Sequence, residues 1–414
     1  MRILFLHQNF PGQFLNLAPE LVRLGHKVLA LKLQDTPVEE WKGVTIVGYL
    51  ARRSSTAAIH PWLADFEAKV IRAEAVFETL RILRDKGFMP DLVIAHPGWG
   101  ESMFVKEVWP YTKLAIYCEF FYQSTGADVG FDPEFFEDEA SNVCNIQLKN
   151  LNNEKHFTIA DAGIAPTHWQ ASTFPPSFRN KISVIHDGID TELITPKLNV
   201  TLHLQENSGM KVLTKNDEVI TFVNRNLEPY RGYHVFMRAL PAILRLRPSA
   251  TILIVGGDEI SYGKSHPSGG SWKHILLDEI GSQLSQQELA RVKFLGSIPY
   301  DHFISVLQLS RLHIYLTYPF VLSWSLLEAM SAGCSIIASD TAPLREVIIH
   351  NETGRLVDFF DCMNLAKEVD RLLDDPTERT KLGMNARAFA QKHYDLNTVC
   401  LPKQIQWINS LMGV

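Results

Sequence analysis

Cysteine is scarce in this chain. Only five occur in 414 residues: Cys118, Cys144, Cys334, Cys362 and Cys400, widely spaced and with no Cys-x-x-Cys pair. That excludes a disulfide framework and a cysteine-ligated zinc site, and fits buried thiols in a reducing cytoplasmic setting. Positive charge is not in surplus either. Lys plus Arg is 40 against 46 Asp plus Glu, a formal net charge of −6. Split near residue 190, the chain has 18 basic and 23 acidic side chains before that point, and 22 and 23 after it. Neither half carries the field of a nucleic-acid binder, so no nucleic-acid partner is expected. Strong electrostatic adhesion to an anionic membrane is not indicated either, and weak peripheral membrane contact stays open.

Uninterrupted apolar runs are missing too. The longest candidate, Leu312 to Ala338, contains His313, Pro319 and Glu328 and is bounded by Arg311 and Asp340. One charge at the bilayer centre costs about 2.5–3.5 kcal/mol, so a strand–loop–helix–strand series fits this stretch better than a membrane span. The first residues, Met1 to His7, turn polar too soon for a secretory leader and read as a buried strand. Low-complexity tracts are absent. No Gly-x-Gly-x-x-Gly follows a strand; Val255-Gly256-Gly257-Asp258 has the wrong spacing, which argues against a dinucleotide dehydrogenase.

What remains is a core-forming composition, 46% hydrophobic and 10% aromatic. Such a length divides most naturally into two α/β domains. Short apolar runs alternate with longer amphipathic ones, the pattern of parallel sheets with crossover helices. The first half has strand candidates at Ile3–His7, Lys27–Leu33, Leu92–Ala95, Leu114–Tyr117, Ala162–Ala165 and Ile182–Ile185. Helices are expected over Phe14–Leu24, closed by Gly25, and over Ala64–Lys86. The pattern restarts with Val219–Val223, a helix over His234–Arg247, then Thr251–Val255, Val292–Phe294, His313–Leu316 and Ser335–Ala338. The expected architecture is two Rossmann-like domains in tandem, facing each other across a cleft. Their boundaries are 1–190 and 195–385, with C-terminal helices 386–414 packing back towards the first domain. His186-Asp187-Gly188-Ile189-Asp190 and Thr195-Pro196 supply the linker's turn chemistry.

Open parallel sheets bind ligands beyond the carboxyl ends of their strands. There, Val223-Asn224-Arg225-Asn226-Leu227-Glu228-Pro229-Tyr230-Arg231-Gly232 places two guanidiniums in a strand-to-helix loop. Arg225 and Arg231 suit a diphosphate; the alternative is ion pairing with acids such as Glu228. At ~4 Å and an effective dielectric near 20, each unit-charge pair is worth about 4 kcal/mol before desolvation. Further on comes Tyr318-Pro319-Phe320-Val321-Leu322-Ser323-Trp324-Ser325-Leu326-Leu327-Glu328-Ala329-Met330-Ser331-Ala332-Gly333. A helix starting near Trp324 offers free N–H groups, to which Ser323 and Ser325 add hydroxyls. Glu328, one turn in, is a carboxylate in an apolar stretch and needs partners. Ribose hydroxyls would serve, as would backbone amides.

Together these segments resemble the family 4 glycosyltransferases of the retaining GT-B class. The resemblance carries several expectations. Glu328 would hold the donor ribose, and Arg225 and Arg231 would neutralise the diphosphate, with Arg231 one residue beyond the family's lysine. His7-Gln8-Asn9-Phe10-Pro11-Gly12-Gln13 is similar to the family's glycine loop, with Gly12 on the donor. Asp91 to His96 resembles the strand whose closing histidine faces the donor sugar. Gly25 to Val28, Ala160 to Thr167 and His186 to Asp190 also match, so the likeness runs through most of the chain. Phe320, Leu322, Ser323, Trp324 and Ser325 fall in the donor-binding stretch.

Three departures stand out. The first acid of the family's Glu-x7-Glu motif falls at Phe320, and no acidic residue lies between Asp301 and Glu328. Val321-Leu322-Ser323 replaces the usual Gly-Phe-Gly, and Ala342-Pro343 stands where glycines are common. These leave the donor sugar open. The implied reaction is retaining transfer of a hexosyl group from a UDP- or GDP-sugar to a hydroxyl of a carbohydrate or lipid-linked acceptor. Its place would be glycan, polysaccharide or glycoconjugate biosynthesis. No metal and no cofactor is expected, since guanidiniums would do the work of Mg²⁺ and no Asp-x-Asp pair closes a strand. His96 is expected on the donor sugar or the attacking hydroxyl, or as a structural histidine. Glu119 to Glu139, rich in aromatics and acids, is expected on the acceptor side or as a solvated loop. The competing readings are an epimerase or phosphorylase of similar fold and a non-catalytic sugar-nucleotide-binding protein.

Overall fold

The computed structural model describes residues 1–135, 139–206 and 209–413 of the chain. Two compact units make it up: Met1–Gly188 with Asn397–Val414, and Ile189–Leu396. The second change of unit falls at Leu396, later than the expected 385. The reason is a continuous helix, Pro376–Tyr394, that belongs wholly to the second unit. From it Arg387 reaches the carbonyl oxygens of Ile194 at 3.1 Å and Thr191 at 3.2 Å, and that of Ser331.

The first unit is built on eight strands: β1 Arg2–Leu6, β2 Lys27–Leu33, β3 Val38–Trp41, β4 Val44–Tyr49, β5 Leu92–Ala95, β6 Lys113–Tyr117, β7 Ala162–Ala165 and β8 Ile182–Val184. They lie in the order β3-β4-β2-β1-β5-β6-β7-β8. Every pairing is parallel except β3 with β4. Residues in β5 (Leu-Val-Ile-Ala) are buried on both faces, as a central parallel strand requires, so apolar residues run without alternation. Helices α1 Leu17–Arg23, α2 Ala64–Asp85 and α3 Glu139–Ile159 belong to this unit. The sequence reading finds six of the eight strands. It misses the β3–β4 hairpin, whose Glu39-Glu40 pair and alternating exposure look like a loop.

The second unit adds a two-stranded antiparallel hairpin, β9 Thr201–Glu206 and β10 Gly209–Thr214. Its main sheet holds β11 Val219–Asn226, β12 Thr251–Gly257, β13 Val292–Gly296, β14 Leu312–Tyr315, β15 Ile336–Ser339 and β16 Arg355–Val357. The order is β13-β12-β11-β14-β15-β16, all parallel. Helix α4 Tyr233–Leu246 packs on this sheet, with Phe236 stacked 4.3 Å from Phe222 of β11. Burying each such ring contributes roughly 1.5–3 kcal/mol. Helices α5 Trp324–Ser331, α6 Pro376–Tyr394 and α7 Leu401–Met412 follow, the last belonging to the first unit.

Both sheets reverse their strand order beside the first strand. In the first unit the switch lies between β1 and β5, and in the second between β11 and β14. These are the positions where loops diverge and leave a crevice beyond the strand ends. The segments that carry the candidate chemistry all follow one of these four strands or a neighbour.

Candidate functional site

In the second unit, Arg225 is the exposed residue at the end of an otherwise buried β11. Among the described residues its guanidinium has no hydrogen-bond or ion-pair partner. Arg231 lies in the next turn and is only 6% exposed. Its Nη1 donates to Thr317 Oγ1 at 2.9 Å, to the Val321 carbonyl at 3.0 Å and to the Tyr315 hydroxyl at 3.3 Å. Its Cζ lies 5.2 Å from the Tyr262 ring centroid and 5.9 Å from that of Phe320. No carboxylate approaches it within ion-pair distance among the described residues. Burial works against the charge, but the facing Tyr315 and Tyr262 phenols and the field of Glu228 hold the pKa above the usual arginine value.

The ion-pair alternative for the two arginines is therefore not what the structure holds. Glu228 is fully buried and accepts the amide N–H of Gly263 at 2.9 Å and those of Ser261 and Tyr262 at 3.3 Å. That ties the start of the Tyr262–Trp272 stretch beside Arg231. Gly232 sets the turn. Its φ is +66°, and a Cβ there would sit 2.3 Å from Leu316 Cβ, so a larger residue would push the Arg231 turn off β14.

After β14 the chain runs through Phe320 to α5. Ser323 caps this helix, its hydroxyl accepting the Ser325 N–H at 3.3 Å and lying 2.9 Å from the Ser325 hydroxyl. Ser323 N–H donates to the same Tyr315 hydroxyl that Arg231 uses, at 3.3 Å. The helix start and the buried guanidinium thus share a partner. Phe320 packs against Tyr230 and Tyr262 and is 5% exposed, so it offers no polar group to a ligand. Leu322 is buried in the core of the unit and Trp324 packs partly against it, which leaves mainly their backbone for ligand contact. Glu328 is buried, and its Oε1 accepts from the Tyr300 hydroxyl at 2.5 Å rather than from backbone amides. Burial pushes its pKa up to about 7, against the Tyr300 hydrogen bond. A second donor would be needed to keep it ionised.

The first unit places a different set of groups at its switch point. His7 follows β1, His96 follows β5 and Glu119 lies two residues beyond β6. Asn9 N–H donates to His7 Nδ1 at 3.0 Å, so His7 carries its proton on Nε2, 2.8 Å from Gln13 Oε1. Gln13 Nε2 donates to Glu119 Oε1 at 3.1 Å, and the other Glu119 oxygen lies 3.5 Å from His96 Nε2. His96 Nδ1 accepts the Gly98 N–H at 3.2 Å, closing a polar chain over three adjacent strands. Burial, then the neighbouring His96, lowers the His7 pKa to about 4, so the ring is neutral at pH 7. Burial would raise the Glu119 pKa, but His96, His7 and Gln13 together hold it below the ordinary value. Gly12 is part of this assembly. At φ +47°, its missing Cβ would lie 2.3 Å from His7 Nε2.

The structure thus brings Arg231, Phe320, Ser323 and Ser325 together, with Glu328 one turn along α5 and Arg225 at the end of β11. It sets Gly12 and His96 in a separate constellation of the first unit. The sequence reading assigns no role to His7, Gln13, Tyr300 or Thr317. Gln13 and Glu119 are 106 residues apart, and only the adjacency of β1, β5 and β6 unites them. Of the acids expected on the acceptor side, Glu137 and Asp138 lie outside the described residues.

Two parallel-sheet α/β units with their candidate ligand groups at the switch points define the GT-B class of glycosyltransferase fold. Sucrose-phosphate synthase from Thermosynechococcus elongatus superposes with a TM-score of 0.74 at 17% identity, covering all of both chains. HepE of Anabaena, solved in complex with UDP-glucose, gives 0.68 at 17% identity over 99% of this chain and 100% of that one. These likenesses concern the fold. Residues 24–194 match the glycosyl transferase family 4 group, and residues 205–389 match glycosyl transferases group 1. The chain belongs to the family 4 glycosyltransferases. A D-inositol 3-phosphate glycosyltransferase from Corynebacterium efficiens is 26% identical over 259 residues, 62% of this chain and 56% of that protein. The chain thus spans little more than half the length of the curated relatives it matches. No helix among the described residues is long and apolar enough to cross a membrane.

Proposed function

We propose that the protein transfers a sugar from a nucleoside diphosphate sugar to a hydroxyl acceptor with retention at the anomeric carbon and without a metal. The observation that carries this reading is Arg231, a buried guanidinium with no carboxylate partner among the described residues, held by Thr317, Val321 and Tyr315. A buried cation is costly unless an anion joins it. Arg225, exposed and unpaired at the end of β11, supplies the second positive group that a diphosphate needs. The α5 N-terminus with Ser323 and Ser325 adds donors.

In this mechanism Glu328 takes hydroxyls of the donor ribose. Arg225 and Arg231 stabilise the charge that gathers on the diphosphate as the bond to the sugar breaks. Arg231 is fixed before the reaction by Thr317, Tyr315 and the Val321 carbonyl, so it needs little reorganisation, which is where such electrostatic catalysis gains most. A diphosphate oxygen receives the acceptor proton on the same face, so no protein nucleophile is required. In the first unit, neutral His7 and the His96–Glu119 pair offer donors and acceptors for sugar or acceptor hydroxyls. The UDP-glucose bound by HepE supports a uridine donor over a guanosine one. Hexosyl transfer, a glycan or glycoconjugate product and a cytoplasmic location belong to the same reading.

The test is a screen of UDP-, GDP- and ADP-sugars for binding, donor hydrolysis and transfer. The reading expects one donor to bind and to lose its sugar. Conversion of the nucleotide sugar itself without an acceptor would mark an epimerase. The buried phenyl ring of Phe320, in place of an acid, favours one second reading, a non-catalytic sugar-nucleotide binder. Tight binding with neither transfer nor hydrolysis would establish it.

A further inference from the structure

The loop after β12 is long. A strand usually passes into the next helix within about two to six residues. Here the chain runs from Asp258 to Ser271 before the helix Trp272–Gly281 begins, with no helix or strand of its own. It is tied down all the same. Ser261 Oγ accepts from Asn226 Nδ2 at 2.7 Å, and the Trp272 indole N–H donates to the Lys264 carbonyl at 3.0 Å. His266 packs edge-on against the Trp272 ring at 4.9 Å. Loops of this length in a compact unit usually serve function.

Glu228 makes the densest of these ties. Its side chain is fully buried and accepts three consecutive amide N–H groups: Gly263 at 2.9 Å, and Ser261 and Tyr262 each at 3.3 Å from both oxygens. A buried carboxylate more commonly takes a cation, and one stands close by. Glu228 and Arg231 bracket a single 3₁₀ turn, Pro229–Arg231, and a three-residue spacing sets side chains on one side of such a turn. Arg231 is buried and feels the field of Glu228, yet has no carboxylate within ion-pair distance among the described residues. Two opposite charges are thus buried within reach of each other's field and remain unjoined. Aromatic rings cover the guanidinium: Tyr262 lies 5.2 Å from its Cζ and Phe320 5.9 Å, with 4.9 Å between the two rings. Were the three amides withdrawn, Glu228 would be left buried without donors, and the cation of the adjacent turn would relieve it.

We propose that Ser261–Gly263 occupies Glu228 so that Glu228 does not occupy Arg231. The three amides act as positioning groups that keep the guanidinium free for an anionic ligand. The inference rests on the reading of Arg231 as a diphosphate ligand and adds the residues that hold it in that state. It also gives the loop a second setting. When Ser261–Gly263 lifts away, the freed carboxylate neutralises Arg231 and competes with the diphosphate for it.

The test is a double-mutant cycle on the full chain, read by calorimetry with UDP and with GDP. Gly263→Pro removes the shortest of the three amide donors and puts a ring methylene where its proton stood. It weakens whichever nucleotide binds by about tenfold or more, the scale of one hydrogen bond to a charged group. Adding Glu228→Gln, which has no charge to offer Arg231, restores affinity to within about threefold of the original protein. Melting curves verify folding in every variant. A merely structural tie behaves in the opposite way, with Glu228→Gln deepening the loss caused by Gly263→Pro. That result, or unchanged affinity in Gly263→Pro, overturns the inference. Hydrogen exchange gives a second readout that needs no proline. The amides of Ser261, Tyr262 and Gly263 are protected about tenfold or more over those of Ser265 and His266 in the same loop, and Glu228→Gln lowers that protection. Equal exchange throughout the loop of the unaltered protein overturns the inference as well. Arg231→Gln separates the two levels. If it leaves nucleotide affinity unchanged, the diphosphate reading fails and takes this inference with it. If Arg231→Gln weakens binding while Gly263→Pro does not, only the role of the loop falls.

Discussion

The two units use the same scaffold and put opposite chemistry on it. Each has a parallel sheet that switches direction beside its first strand, with loops opening at the strand ends. At that point the first unit sets the neutral His7, an amide and one carboxylate in a hydrogen-bonded chain, with His96 beside the carboxylate. The second sets one buried and one exposed guanidinium, a capped helix start and a carboxyl group pushed towards neutrality. On the proposed reading, the sheet dictates where ligands go while a few loop residues dictate which ligand goes there.

The sharpest way to break this contrast is to remove the guanidiniums. Arg225→Ala should lower donor turnover by roughly 10²–10³, the scale for losing one preorganised donor. Because Arg225 is exposed and unpaired, its loss should leave the melting temperature unchanged. Arg231→Ala should lower turnover by a similar factor and also reduce stability, since Thr317, Tyr315 and the Val321 carbonyl lose their partner. Normal turnover in either variant would remove the basis for assigning a diphosphate to the second unit.

Acid should separate the units next. Burial depresses the pKa of His7 to about 4, of His156 to about 4 and of His186 to about 3, all in the first unit. Their contribution to stability is complete above the unfolded value near 6.5 and is lost as pH falls towards their folded values. Each loses about 1.4 kcal/mol per pH unit in that window, or about 2 kcal/mol by pH 5. The second unit has His313, lowered to about 3, but also Glu328, whose raised pKa acts the other way. That group's contribution is present below its unfolded pKa and is lost as pH rises through about 7. Hydrogen exchange at pH 7 and pH 5 should therefore show amides of the first unit losing protection first. Simultaneous loss in both units would contradict the assignment.

A smaller effect sharpens the role of Glu328. Hydroxyls donating to it favour its charged form, so nucleotide binding should release a proton near pH 7 and strengthen up to about tenfold between pH 6 and pH 8. Glu328→Gln should cost about tenfold in affinity at pH 8 and flatten this dependence. Calorimetry in buffers of different ionisation enthalpy measures both, and an unchanged pH profile in the variant would exclude a ribose contact.

Much of this contrast is legible in the order of the amino acids. The central strands are runs of apolar residues because both their faces are covered, and β2, β5 and β7 match the sequence reading to the residue. Arg225, Arg231 and Glu328 stand out as charges at strand ends or inside apolar stretches. What escapes the reading is pairing on half-exposed ribbons, as in β3–β4 and β9–β10, where residues at least partly exposed outnumber buried ones. Tertiary partners of local motifs escape for a related reason. Nothing local to Glu328 announces Tyr300, 28 residues upstream, and nothing near His7 announces Glu119.

A crystal structure of the protein with a nucleoside diphosphate tests the central claim most directly. The expected result is diphosphate oxygens within hydrogen-bonding distance of both Arg225 and Arg231, with the ribose hydroxyls on Glu328. A nucleotide bound elsewhere in the chain, or one whose phosphates leave both guanidiniums untouched, would contradict it.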